Sequence, residues 1–105
     1  MDKIIVTGKR GKTTYARKIS EGKNSITFIP NRNNALSEMQ RLFNERLPEC
    51  IVVEEANINN DFCKMLFDQQ SEQFFWPKIE IILVMQQLPT WALDRPDIQI
   101  VDIQK

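Results

Sequence analysis

The stretch IIVTGKRGKTTYARKI, residues 4–19, opens as a β-branched apolar run and closes as a helix. With Lys3 in front, Ile4, Ile5 and Val6 form a compact strand, because branched side chains are stiff at χ1 and pack well on a pleated surface. Past the basic turn, Tyr15, Ala16 and Ile19 recur at helical spacing, and Gly22 supplies a stop signal. Between strand and helix lie Gly8, Lys9, Arg10, Gly11, Lys12, Thr13 and Thr14. A strand that turns directly into a helix begins a βαβ unit, and the rest of the chain repeats that alternation.

SITFIP, residues 25–30, is a second strand ended by Pro30. Residues 33–48 follow as a helix capped by Asn33 or Asn34, with Leu36, Met39, Phe43 and Leu47 as its apolar face. CIVV, residues 50–53, is a third strand, and residues 59–74 a third helix, with Asn59 or Asn60 as cap and Phe62, Met65, Leu66 and Gln69 on one face. KIEIILVM at 78–85 and IQIVDI at 98–103 are the last two strands. Leu88 to Asp97 shows no clear helix, which predicts a thin final crossover. Strands that read as unbroken Val/Ile/Leu runs between amphipathic helices belong to a sheet covered on both faces. The expected fold is a minimal α/β three-layer sandwich with a mainly parallel five-stranded sheet, one domain spanning residues 1–105.

Composition narrows the chemistry. Hydrophobic residues are 42% and charged residues 27% of the 105, ordinary for a chain that closes a core. Lys plus Arg equals Asp plus Glu at 14 each, so no overall field draws the chain onto nucleic acid or an anionic membrane, and any basic patch is local. Histidine is absent, which removes imidazole bases, Ser-His triads and most zinc sites. Cys50 and Cys63 sit in apolar stretches and read as buried, reduced thiols. With neither a charged-then-apolar leader nor an apolar run near the roughly 18 residues of a membrane span, the expectation is a cytoplasmic protein without a membrane partner.

In an open α/β sheet, ligands bind beyond the carboxyl ends of the strands. After the first strand, Gly11-Lys12-Thr13 supplies the second half of the pattern G-x-x-x-x-G-K-[ST], in the expected position between strand and helix. The chemistry requires glycines so that backbone amides approach phosphate oxygens, a lysine to bridge the terminal phosphates, and a hydroxyl for Mg²⁺. In a loop of the usual length, Val6 holds the first-glycine position; if Gly8 is that glycine, the loop is two residues shorter. The competing reading is a plain basic βα turn. The third strand delivers Glu54 and Glu55 to the same edge, one carboxylate for Mg²⁺ through water and one to activate an attacking water, or else a solvated acidic turn. The fourth delivers Gln86 and Gln87, amides able to touch a γ-phosphate and water, or else the polar start of a loop.

Together these residues resemble the P-loop NTPases, in the branch with an additional strand and a catalytic glutamate, and within it the FtsK/HerA-type DNA-pumping ATPases and related phage assembly and conjugation ATPases. The likeness runs from Lys3 to about Pro89, through Gly11-Lys12-Thr13, Ile51-Val52-Val53-Glu54-Glu55 and Gln86 or Gln87. It implies ATP and Mg²⁺ as ligands, a nucleotide-binding set of Gly8, Lys9, Arg10, Gly11, Lys12, Thr13 and Thr14, and Thr13 with Glu54 at the metal. It implies Glu55 as catalytic base, with Lys12 and Gln86 or Gln87 completing the catalytic set, and a service in DNA translocation or in phage or mobile-element assembly. It also implies a homo-oligomer in which a neighbour's arginine completes the site, for which Arg95 is the only late arginine. The implied sheet order places the first strand between the last and the fourth, with the second at the far edge. Glu54 stands where the family usually has Asp.

The aromatics of FFWP at 74–77 and Trp91 read as core or docking surface before a base-stacking platform, and NRNN at 31–34 as a turn with a helix cap. Lys9, Arg10, Lys12, Arg17 and Lys18 make the amino-terminal end locally basic. Three functional readings remain: an ATP-hydrolysing domain, a degenerate P-loop fold acting as a non-catalytic binding or assembly module, and a small single-stranded nucleic-acid-binding protein.

Overall fold

The computed structural model describes residues 3–72 and 79–103. In chain order the elements are β1 (Lys3–Gly8), α1 (Lys12–Ser20), β2 (Ser25–Phe28), α2 (Ala35–Glu45), β3 (Cys50–Val53), a 3₁₀ turn (Ala56–Asn59), α3 (Asn60–Glu72), β4 (Glu80–Val84), α4 (Thr90–Leu93) and β5 (Gln99–Ile103). The strands form one sheet in the order β2-β3-β4-β1-β5, and every pairing is parallel. β1 therefore lies between β4 and β5, with β2 at the far edge, as the sequence reading expected.

Alternation along the strands divides the core into two layers. On one face, Ile4, Val6, Cys50, Val52, Ile82 and Val84 pack under α1 through Ala16, Tyr15 and Ile19. On the other, Ile5, Ile51, Val53, Ile81 and Leu83 meet Met39 of α2 and Phe62, Cys63, Leu66 and Phe67 of α3. This is the expected three-layer sandwich. The thin last crossover is also present: α4 has four residues, buries Ala92, and sets Trp91 edge-on to Phe67 with ring centroids 5.8 Å apart.

One helix detail differs from expectation, and another is settled between two candidates. The buried side of α2 is Ala35, Met39, Leu42 and Phe43, whereas Leu36 is 45% exposed and Leu47, beyond the helix end at Glu45, is 57% exposed. The helix presses on the sheet with the row that starts at Ala35, and Leu36 is turned about 100° away from it. For α3, the Asn59 side chain accepts the Phe62 amide at 3.1 Å, so Asn59 is the cap of the two candidates. The side chain of Gln69 and the aromatics at 74–77 lie outside the described residues. No helix among the described residues is long and apolar enough to cross a membrane.

Cys50 and Cys63 are buried free thiols, and burial pushes both up to about 12, so neither is a nucleophile near neutrality. Arg95 occupies a structural position. It pairs with Asp97 at 2.8 Å and Asp68 at 2.7 Å, and Asp97 also receives Lys3 at 3.3 Å, all beside the amino-terminal ends of β1 and β5. The guanidinium is thus held by two carboxylates at the end of the sheet opposite the β1–α1 turn. Its hydrogen bonds hold the Asp97 carboxyl down at about 2, against about 3.9 in an unfolded chain. A depressed carboxylate contributes stability above its unfolded pKa and loses it as pH falls through the folded value. With 36% of the Asp97 side chain in water, screening leaves about 1 kcal/mol. Asp97→Asn is therefore expected to lower the unfolding free energy by about that amount at pH 7, with the difference from wild type gone by about pH 2, measured by urea melts across pH.

Candidate functional site

The turn after β1 is short because β1 does not stop at Val6. Val6 is fully buried and pairs with Val84 and Val101. Gly8 still pairs with Ile103, at φ 133°, and a Cβ on it would lie 2.0 Å from the Ile103 carbonyl oxygen. Gly8 is thus a glycine of the sheet, required by the close approach of β5. Only Lys9, Arg10 and Gly11 remain as loop, so the shorter of the two sequence alternatives applies. Gly11, at φ 83°, is the residue from which α1 starts, and its carbonyl accepts the first helical bond from Tyr15 at 2.9 Å. The amides of Lys12, Thr13 and Thr14 precede any helical acceptor and carry the positive end of the α1 dipole.

Lys12 folds back over the turn, its Nζ donating to the Gly8 carbonyl at 2.8 Å and reaching the Lys9 carbonyl at 3.5 Å. Thr13 donates its hydroxyl to Glu54 Oε2 at 3.0 Å, joining the start of α1 to the end of β3. Glu54 is fixed from below, since its amide continues the β2–β3 ladder to the Phe28 carbonyl at 3.0 Å. Glu55 then leaves the strand at φ 50°, ψ 46°, the left-handed region, where among the described residues no other non-glycine residue stands. Such a conformation costs an acidic residue about 1–2 kcal/mol. It exposes Glu55 while Ala56 turns into the core.

Gln86 follows β4 at the same edge. Its amide donates to Asn57 Oδ1, and its carbonyl accepts Thr7 Oγ1 at 3.3 Å. Asn57 also donates its Nδ2 to the Gln87 carbonyl at 2.9 Å, so one side chain staples the β4–α4 turn to the segment after β3. Nothing in the sequence marks Asn57, because within Asn57-Ile58-Asn59-Asn60 it does not stand out from its neighbours.

These residues surround a pocket of about 380 Å³ lined by Lys12, Thr13, Glu54, Glu55, Asn57, Ile58, Val84 and Gln86. It opens at the carboxyl edge where the chain leaves β1 toward one face of the sheet and β3 and β4 toward the other, the place where such sheets bind ligands. Of the expected site residues, the fold brings together Lys12, Thr13, Glu54, Glu55 and Gln86. Gly8 is committed to β5, while Lys9, Arg10, Gly11, Thr14 and Gln87 do not line the pocket. Helix amides and Lys12 suit an anion. The Thr13 hydroxyl and Glu54 carboxylate suit a hard cation such as Mg²⁺, which takes one or two carboxylates and fills its remaining positions with phosphate oxygens and water. Among the described residues no cluster of three or more acidic or thiol side chains forms a cage that would hold a metal without such help. No protein-family model and no curated protein matches the chain.

Proposed function

We propose that the chain is a minimal P-loop NTPase-like domain that binds ATP with Mg²⁺ and hydrolyses it. The supporting observation is the convergence of Lys12, Thr13, Glu54, Glu55 and Gln86 on one pocket, with Thr13 and Glu54 already hydrogen-bonded. In this reading Lys12 exchanges the Gly8 carbonyl for phosphate oxygens. Thr13 and Glu54 hold Mg²⁺, which supplies charge neutralisation on those oxygens. Glu55, exposed at the pocket, takes the proton from the attacking water, and the Gln86 amide orients that water against the terminal phosphate. Phosphoryl transfer is mostly positioning and electrostatics, and this inventory is adequate in kind.

Thermal melting with and without Mg²⁺-ATP tests the reading. A ligand at tenfold its Kd adds about 1.4 kcal/mol to the folded state, or about 6–11 °C in a domain of this size. That rise is expected in the wild type and is expected to vanish in Lys12→Ala. A second reading, the same fold as a non-catalytic binding or assembly module, is favoured by the three-residue loop, which offers few amides to encircle a β-phosphate. No rise with millimolar Mg²⁺-ATP in the wild type would select it.

A further inference from the structure

Met85 is the last residue of its segment to bond the sheet, its amide donating to the Val6 carbonyl at 3.0 Å. Gln86 is held instead by two side chains: Asn57 accepts its amide, and Thr7 Oγ1 donates to its carbonyl at 3.3 Å. The Gln86 side chain makes no hydrogen bond among the described residues and is exposed at the pocket. Asn57 grips this turn with both ends of its amide. Its Oδ1 also accepts the Gln87 amide at 3.4 Å, and its Nδ2 donates to the Gln87 carbonyl at 2.9 Å. An acceptor and a donor side by side on a short stem are what asparagine offers; aspartate lacks the donor and serine the length. Asn57 is itself well placed, since Ala56 before it is fully buried and the Ile58 amide after it donates to the Glu55 carbonyl at 3.1 Å. Glu55-Ala56-Asn57 is thus a short arm that joins the exposed Glu55, at φ 50°, to the turn carrying the Gln86 amide.

We infer that Asn57 is a positioning residue for phosphoryl transfer, fixing the Gln86 amide relative to the Glu55 carboxylate and so the attacking water that both address. In that step the water oxygen bonds the terminal phosphorus as its proton passes to Glu55, and the bond from that phosphorus to the bridging oxygen breaks, releasing ADP. Asn57 acts through Gln86, because its oxygen and one amide hydrogen are already taken by the backbone of Gln86 and Gln87. On the ATP reading above, on which this inference rests, Lys12, Thr13 and Glu54 hold the phosphates and Mg²⁺. Those three are anchored on the β1–α1 turn, α1 and the β2–β3 ladder, none of which Asn57 supports. The staple therefore bears on turnover and leaves binding alone. A misplacement of about 1 Å in the attacking geometry is enough to cost about a hundredfold in rate.

Phosphate-release kinetics with Mg²⁺-ATP on Asn57→Ala, Gln86→Ala and the double variant test the assignment. Asn57→Ala is expected to lower kcat about a hundredfold, with KM within about twofold of wild type and the Mg²⁺-ATP melting shift retained. In the Gln86→Ala background the same substitution is expected to lower kcat by less than about twofold, because residues that act as one unit do not add their losses. Asn57→Ser, which keeps a polar group in the 3₁₀ turn and is too short to hold the Gln86 amide, carries the same expectations if the alanine variant does not fold. A KM that rises as far as kcat falls, a melting shift lost with Asn57, or losses that multiply in the double variant would each make Asn57 a merely structural residue and overturn the assignment. A wild type whose melting temperature rises with Mg²⁺-ATP but which releases no phosphate overturns it while ATP binding stands. A wild type without that rise overturns the ATP reading and this inference together.

Discussion

Gly8→Val is expected to cost about 3 kcal/mol or more, through the left-handed φ combined with a backbone clash, and so to lower the melting temperature by roughly 15 °C. The new Cβ would stand 2.0 Å from the Ile103 carbonyl oxygen, and carbonyl and side chain cannot share that space unless β5 moves off β1. Hydrogen exchange is the sharper measurement: the amides of β5 should lose protection while those of β3 and β4 keep theirs. The substitution also separates two roles for this glycine. A glycine serving only a phosphate loop would, when replaced, spare the melting temperature and damage ligand binding. A near-wild-type melt for Gly8→Val would therefore contradict the pairing described here.

The second large effect is catalytic. Glu55→Gln is expected to reduce ATP turnover by about 10²–10⁴-fold, the range for loss of a positioned general base, while leaving the Mg²⁺-ATP melting shift in place. The amide keeps the size and hydrogen-bonding reach of the carboxylate and cannot take a proton. Glu54→Gln should behave differently, weakening Mg²⁺-dependent stabilisation itself, since Glu54 holds the Thr13 hydroxyl. Phosphate release and melting curves on both variants separate the roles. Wild-type turnover in Glu55→Gln, or loss of the melting shift in that variant, would remove Glu55 from the proposed chemistry.

The architecture was legible because each strand is a dense apolar run and each long helix has a periodic face. Ile51, Val52 and Val53 could only be a strand buried on both sides, and they place Glu54 and Glu55 at its end whatever the flanking detail. Other features depend on partners distant in sequence. Gly8 looks like a loop glycine until β5 is laid beside it, since Ile103 is far down the chain. Leu36 and Leu47 fit a helical period but fall off the side that α2 turns to the sheet, a choice made by packing of Met39 and Phe43. Asn57 gains meaning only when the β4–α4 turn arrives above it. Arg95, which the resemblance offers only as a candidate finger for a neighbouring site, pairs with Asp68 and Asp97, the first of which lies in another element.

The burial of Val6 bears on how such a turn changes over time. Val6 belongs to a central strand with neighbours on both sides, so glycine there would open a void in the core without adding a single residue to the loop. A longer phosphate-encircling segment is reachable only by insertion between Gly8 and Gly11, in exposed chain where extra residues cost little. Length at that turn is therefore altered by gain or loss of whole codons, and single-base exchange leaves it as it stands.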